Sequence, residues 1–235
     1  MMTSLKVTPF YVDGADDPIN KQLQDPLPKV PFRMIMSASS GSGKSQLILN
    51  MILKFYQSSK RSIFDHIFIF SPSLAIDNTW KVFKQEPYFS NYITSGILQF
   101  SDELDEDFIN LLINSNDHLR KLVVIDDFAA DIKKDKILQN LFFRSRHNNI
   151  SLIVTSQYYR TIPKSMRENA SDIVCFEFGN DKEKKLVFEE LSTNGMTMND
   201  FDYNCEQVFK EKYQFLYKKV KDREFYKNFE DLLWG

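Results

Sequence analysis

The stretch ASSGSGKS at residues 38–45 fits the phosphate-binding pattern G-x-x-x-x-G-K-[ST], with Ala38 in place of the first glycine. Gly41 and Gly43 permit backbone conformations that a side chain resists. The N–H groups of Ser39, Ser40, Ser42 and the residues around them, with those opening the next helix as far as Gln46, can therefore converge on phosphate oxygens. Lys44 is expected to hold the outer phosphates of ATP, and Ser45 a Mg2+ ion. The competing reading is a plain Gly/Ser surface loop. A second polar group closes the apolar run KLVVIDDF. There Asp126 would coordinate the metal, directly or through water. Asp127 is placed to orient or deprotonate an attacking water, a task more often given to glutamate. Alternatively, the pair simply ends a strand and starts a turn. The run NISLIVTSQ finishes with Thr155, Ser156 and Gln157, where a polar tip can sense a γ-phosphate and Gln157 can face the water, or can merely be a polar residue leaving a buried strand.

Two cationic groups are less specific. NLFFRSRHNN puts Arg144 and Arg146 at the exit of a helix. They can complement the helix dipole and remain solvated. In a ring of subunits, one of them can instead reach the neighbour's γ-phosphate as an arginine finger, with Arg146 the first choice and Arg144 the second. AADIKKDK, directly after the Asp pair, offers Lys133, Lys134 and Lys136 as a local basic strip that can face a polyanion, or that can stay a solvated loop. Lys54, Lys60 and Arg61 lie at and beyond the end of the phosphate-loop helix and are given no role.

Positioning these groups requires strands that deliver them to one edge of a sheet. FRMIMS, DHIFIFSPS, KLVVIDD, NISLIVTSQ and SDIVCFEF are short apolar runs separated by amphipathic stretches, the pattern of buried strands alternating with helices. This predicts an α/β fold with right-handed crossovers, a mostly parallel sheet covered by helices on both faces, and ligands at the carboxyl ends of the strands. The specific expectation is a P-loop NTPase of the additional-strand catalytic type, the NISLIVTSQ strand lying between the strands that bear the phosphate loop and the Asp pair. After Ser45, the spacing of Leu47, Ile48, Met51, Ile52 and Phe55 marks one face of a helix over 46–56. YQFLYKKVKDREFYKNF, with a polar turn at Lys221–Arg223, predicts a C-terminal β-hairpin. Residues 1–31, rich in Pro, Asp and Asn, read as an extended arm, and 32–235 as the ATPase domain, with a helical and hairpin extension from about 195. The 235 residues, 43% of them hydrophobic, suffice for one sizeable core. A net charge of -2 excludes a surface basic throughout but allows a local basic strip. Cys175 and Cys205 support neither a disulfide framework nor a zinc site, and fit a reducing compartment. With no apolar run near 18 residues and no signal core in MMTSLKVTPFYVDG, the chain is expected to be soluble and intracellular.

Four blocks, in this order, carry a resemblance over nearly the whole chain: PLPKVPFRMIMSASSGSGKS, IFIFSPSLAIDNTW, VVIDDF and FFRSRHNNISLIVTSQYYRTIPKSMRENASDIVCFEF. The chain resembles the genome-packaging ATPases of large DNA viruses, poxviruses and virophages, a branch of the FtsK/HerA superfamily. The narrowest part is the Arg-x-Arg-His approach to Thr-Ser-Gln, followed by Ile-Pro and the Arg-x-Asn at Arg167–Asn169. The resemblance implies Mg-dependent ATP hydrolysis in a ring, a pentamer or hexamer, that draws double-stranded DNA into a preformed capsid. It also implies a DNA grip, for which Lys133, Lys134 and Lys136 are the candidates as a loop that moves with the nucleotide state, a capsid or portal-vertex partner, and work in the host-cell cytoplasm, at the viral factory, or in the virion, without secretion. Asp126–Asp127 in place of Asp-Glu also occurs in that branch. The rival readings are a nucleotide-switched DNA- or capsid-binding protein with little turnover, a DNA helicase or translocase not tied to packaging, and a nucleotide-monophosphate kinase, for which no arginine-rich lid is visible.

Overall fold

The computed structural model describes residues 17–59, 61–85, 87–115, 117–128, 136–193 and 195–235. The five expected strands form as β1 (Arg33–Ser37), β4 (His66–Phe70), β6 (Lys121–Ile125), β7 (Ile150–Ser156) and β8 (Asp172–Cys175). With β5 (Leu98–Ser101), β9 (Leu216–Lys219), β10 (Glu224–Lys227) and β11 (Asp231–Trp234) they make one sheet in the order β11-β10-β9-β8-β1-β7-β6-β4-β5. A separate two-residue ladder joins β2 (Gln57–Ser58) to β3 (Arg61–Ser62). The six strands from β8 to β5 pair in parallel, and β9, β10 and β11 continue the sheet antiparallel from β8. As expected, β7 lies between the phosphate-loop strand β1 and the Asp-bearing strand β6.

Side-chain alternation divides the core between the two faces of this sheet. Met34, Met36, Val124, Ile153 and Val174 pack on one face with helix α1 (Lys44–Asn50) and with Trp80 of α2 (Asn78–Gln85). Ile35, Val123, Ile125, Leu152, Val154 and Ile173 pack on the other. That second face is covered by α4 (Glu106–Asn114), α5 (Lys136–Arg144), α6 (Lys164–Asn169), α7 (Asp181–Leu191) and α8 (Met198–Val208). Helix α3 (Pro87–Thr94) precedes β5. Arg167 of α6 fastens this layer through two bonds to the Glu190 carboxylate of α7, at 2.9 and 2.7 Å, and lies 5.1 Å over the Tyr159 ring.

Three local features differ from the sequence expectations. The helix after Ser45 turns into a π-helix at Met51–Phe55, closed by Tyr56 N–H donating to the Met51 carbonyl at 2.9 Å. The wider turn breaks the 3.6-residue register, so Met51 and Ile52 stay buried while Phe55, 37% exposed, rotates off the predicted face. The C-terminal hairpin gains a third strand, β11, and thereby becomes a three-stranded extension of the main sheet. Residues 17–31 of the expected extended arm are packed, with Ile19, Leu27 and Val30 buried in the α1-side core and Asn20 bonded through both amide atoms to the backbone of Val30.

Candidate nucleotide site

The carboxyl ends of β1, β4, β6 and β7 surround a cleft of about 900 Å³ lined by Ser39, Ser40, Gly41, Gly43, Lys44, Ser45 and Gln46 on one side. Ser73, Asp77, Asp126, Asp127 and Gln157 line the other. Gly41 at φ +76° and Gly43 at φ +109° occupy backbone conformations that L side chains rarely adopt. Gly43 has a steric reason as well, since a Cβ there would stand 3.0 Å from Cδ1 of Tyr213. Two of the residues assigned to phosphate binding do not line the cleft. Ala38 is buried, its N–H donating to the Ser156 carbonyl and its carbonyl accepting from Lys44 Nζ at 2.8 Å. Ser42 folds back, its hydroxyl donating to the Ser39 carbonyl at 2.5 Å. They shape the loop from behind.

The Asp pair is built by strand register. Ile125 pairs with Val154, so Asp126, just past the end of β6, comes beside Thr155 of β7, and the Thr155 hydroxyl donates to Asp126 Oδ1 at 2.7 Å. The same hydroxyl oxygen accepts the Asp127 N–H at 3.0 Å, holding Asp127 at φ +60°, a left-handed geometry that Asp tolerates better than most residues. Asp127 Oδ2 in turn accepts from Gln157 Nε2 at 3.1 Å. The predicted water-handling pair is therefore already in contact. Burial pushes the Lys44 ammonium below its usual range, opposed by the negative charges of Asp127, Asp126 and Asp77. An incoming polyphosphate would add anionic charge beside this half-buried cation and restore its preference for the protonated form.

Sequence reasoning missed the contribution of the segment after β4. The Ser71 hydroxyl donates to Asp126 Oδ2 at 2.9 Å, and the buried Trp80 indole N–H donates to the same oxygen at 3.3 Å. Ser45 Oγ donates to Asp77 Oδ2 at 3.3 Å, and Asp77 Oδ1 accepts from Thr79 N–H at 2.7 Å. Both expected metal ligands are thus steered by one segment. The block IFIFSPSLAIDNTW contains these residues, but their spacing matches no chemical motif; the detectable signal was an Asp followed two residues later by Thr at a helix start. The donor set, a serine hydroxyl and a carboxylate, suits a hard cation such as Mg2+. Asp126 already accepts three protein bonds, which leaves room for little more than one further partner.

The remaining candidates lie elsewhere. Arg146 lines a second cleft, of about 1030 Å³, with Arg33, Arg120 and Asn149, residues that begin or just precede β1, β6 and β7. This is the opposite edge of the sheet, roughly 20 Å from the first cleft by the rise of a seven-residue strand. Arg144 ends α5 nearby and is exposed. The Arg33 guanidinium is held below its usual range, by burial and then by the charge of Arg146. Lys136 opens α5 and is exposed, whereas Lys133 and Lys134 lie outside the described residues.

A parallel sheet with a phosphate loop after its central strand, and a polar-tipped strand between that loop and an Asp-bearing strand, defines a P-loop NTPase of the additional-strand type. The chain belongs to the poxvirus A32 protein family, whose model matches residues 20–221. It is 27% identical over 171 residues to the DNA packaging protein OPG160 of Variola virus, covering 70% of this chain and 60% of that relative. Its fold is similar to that of the genome packaging NTPase B204 from Sulfolobus turreted icosahedral virus 2 in complex with ATP-gammaS. The TM-score there is 0.62 at 15% identity, over 84% of this chain and 97% of that one. EssC (ATPases 2 and 3) from Geobacillus thermodenitrificans gives a TM-score of 0.57 at 15% identity, covering 87% of this chain and 40% of that one. No helix among the described residues is long and apolar enough to cross a membrane.

Proposed function

We propose that the chain is an ATP-hydrolysing motor subunit that moves double-stranded DNA into a preformed viral capsid. The observation that carries this is the meeting, in one cleft, of Lys44 and Ser45 with Asp126, Asp127 and Gln157. Lys44 would leave the Ala38 carbonyl for the outer phosphates, a short swing that keeps its charge compensated. Ser45 would hold Mg2+ through its hydroxyl oxygen while its O–H goes on donating to Asp77, and Asp126, which already accepts from Ser71, Trp80 and Thr155 and has room for about one more bond, would hold the ion through water. When bound, the metal neutralises phosphate charge. Asp127 takes the proton of the attacking water, and Gln157 fixes both partners through its amide.

Arg146 lies at the edge remote from its own cleft, so it serves a neighbour or nothing. Its nearness to Arg33 concentrates positive charge that an adjacent subunit's γ-phosphate would relieve. This supports a closed ring, pentameric or hexameric, with Arg144 as the alternative finger. Residues 32–235 form the ATPase unit of this reading, and the segment around Lys133, Lys134 and Lys136 its DNA contact. The named role of the Variola virus relative in DNA packaging supports duplex DNA as the cargo, a capsid or portal-vertex protein as the dock, and the cytoplasmic viral factory as the place of work. Steady-state phosphate release with and without linear duplex DNA tests it. Turnover that is Mg-dependent and raised several-fold by duplex is expected. Stoichiometric binding with no turnover would instead favour a nucleotide-switched binding protein.

A further inference from the structure

We propose that the side pocket along the outer flank of α1 is the nucleobase subsite, with Tyr213 as its stacking wall. The pocket encloses about 310 Å³, the lower end of the range for small-molecule sites. It shares Gly43, Gln46 and Tyr213 with the phosphate cleft, so the two spaces adjoin at these residues. The direction is fixed by the loop. Lys44 reaches the outer phosphates while the helix amides hold the inner ones, so the nucleoside leaves the cleft on the Gln46 side, where this pocket opens. Leu47 and Phe215, both buried, line it as an apolar surface.

Tyr213 is the unusual member. It lies in the loop between α8 and β9 at φ +70°, and the residue is 65% exposed although its Cδ1 fills the space where a Cβ on Gly43 would stand. An aromatic side chain left open to water at a strained backbone position, beside a glycine that makes room for it, fits a face waiting for a planar partner. The rim is amide-rich. Asn228 Nδ2 donates to Gln214 Oε1, and Asn228 Oδ1 accepts the Phe215 N–H at 3.2 Å, so this pair is pre-set beside the space a base edge would occupy. The ligand class is therefore a nucleoside triphosphate read at both ends, its phosphates by the loop and its base by this pocket.

The inference rests on the reading of the main cleft as a triphosphate site, and the test separates the two. Equilibrium binding of Mg-ATP and of Mg-tripolyphosphate, which lacks a base, is measured for the wild type, Tyr213→Ala and Tyr213→Phe, each confirmed folded by its thermal melt. The wild type should prefer ATP. Tyr213→Ala should lose about 5- to 100-fold in ATP affinity, the range for removing one base-stacking aromatic, with tripolyphosphate affinity unchanged, and Tyr213→Phe should restore ATP binding. If Tyr213→Ala weakens both ligands equally, or if the wild type binds them equally, the base subsite is wrong while the phosphate site stands. Wild-type protein that binds neither ligand would overturn both readings.

Discussion

A single hydroxyl organises the chemistry at the residue scale. Thr155 donates to Asp126 and accepts the Asp127 N–H, so one side chain sets both the Asp126 carboxylate and the left-handed turn that aims the Asp127 carboxylate at Gln157. Asp127→Asn keeps the turn, because Asn tolerates φ near +60° as well as Asp does, but removes the proton acceptor. Its turnover should fall about 100-fold or more while Mg-ATP affinity changes only a few-fold. Phosphate release and calorimetry read these independently, and near-normal turnover would remove Asp127 from the reaction. Lys44, Ser45, Asp126 and Gln157 could be found in the sequence because each belongs to a local pattern or ends an apolar run. The contacts of Ser71, Asp77 and Trp80 could not, since the Asp77-x-Thr79 signal marks only a helix start, while their partners lie 55, 32 and 46 residues away and only the folded sheet brings them together.

The five buried strands at the element scale were legible because continuous apolar runs of β-branched and aromatic residues mark strands covered on both faces. β5, with Gln99 exposed in LQFS at the sheet edge, has too little apolar character to stand out, and β11 is half exposed for the same reason. The π-helix was hidden because its residues have the same helical composition on either side. The join between the parallel sheet and its antiparallel extension centres on Asp172, which starts β8 and accepts from Tyr217 of β9 and from Ser171, both at 2.6 Å. Burial pushes the Asp172 carboxyl up to about 6, against those hydrogen bonds and the Lys219 charge. Because the folded value exceeds the unfolded one, its contribution to stability is complete below about pH 4 and is lost as pH rises through about 6. Asp172→Asn removes that titration. Its stability relative to wild type, from urea melts, should therefore improve between pH 5 and 7.5, by on the order of 1 kcal/mol. Parallel pH profiles would show that Asp172 is not raised.

The sheet at the scale of the whole molecule has a cleft at each end of its strands, the candidate nucleotide cleft at the carboxyl ends and the cleft of Arg33 and Arg146 at the other. A closed ring that puts one edge against the next subunit's opposite edge would complete every site from two chains. Mixtures of Lys44→Ala and Arg146→Ala subunits should then recover part of the turnover that each variant alone lacks, since an intact loop can meet a neighbour's intact arginine. Mixtures no better than the single variants would make Arg146 a surface residue. The sequence could place the arginines at a helix exit but could not say which edge they reach, because that depends on the strand order. All of this depends on a triphosphate seated between the phosphate loop and Asp126. Calorimetric titration of Mg-ATP into wild-type protein and into Lys44→Ala tests that most directly. Saturable binding by the wild type, weakened at least tenfold by the substitution, is predicted, and an absence of binding heat in the wild type, or equal affinity in the two proteins, would contradict it.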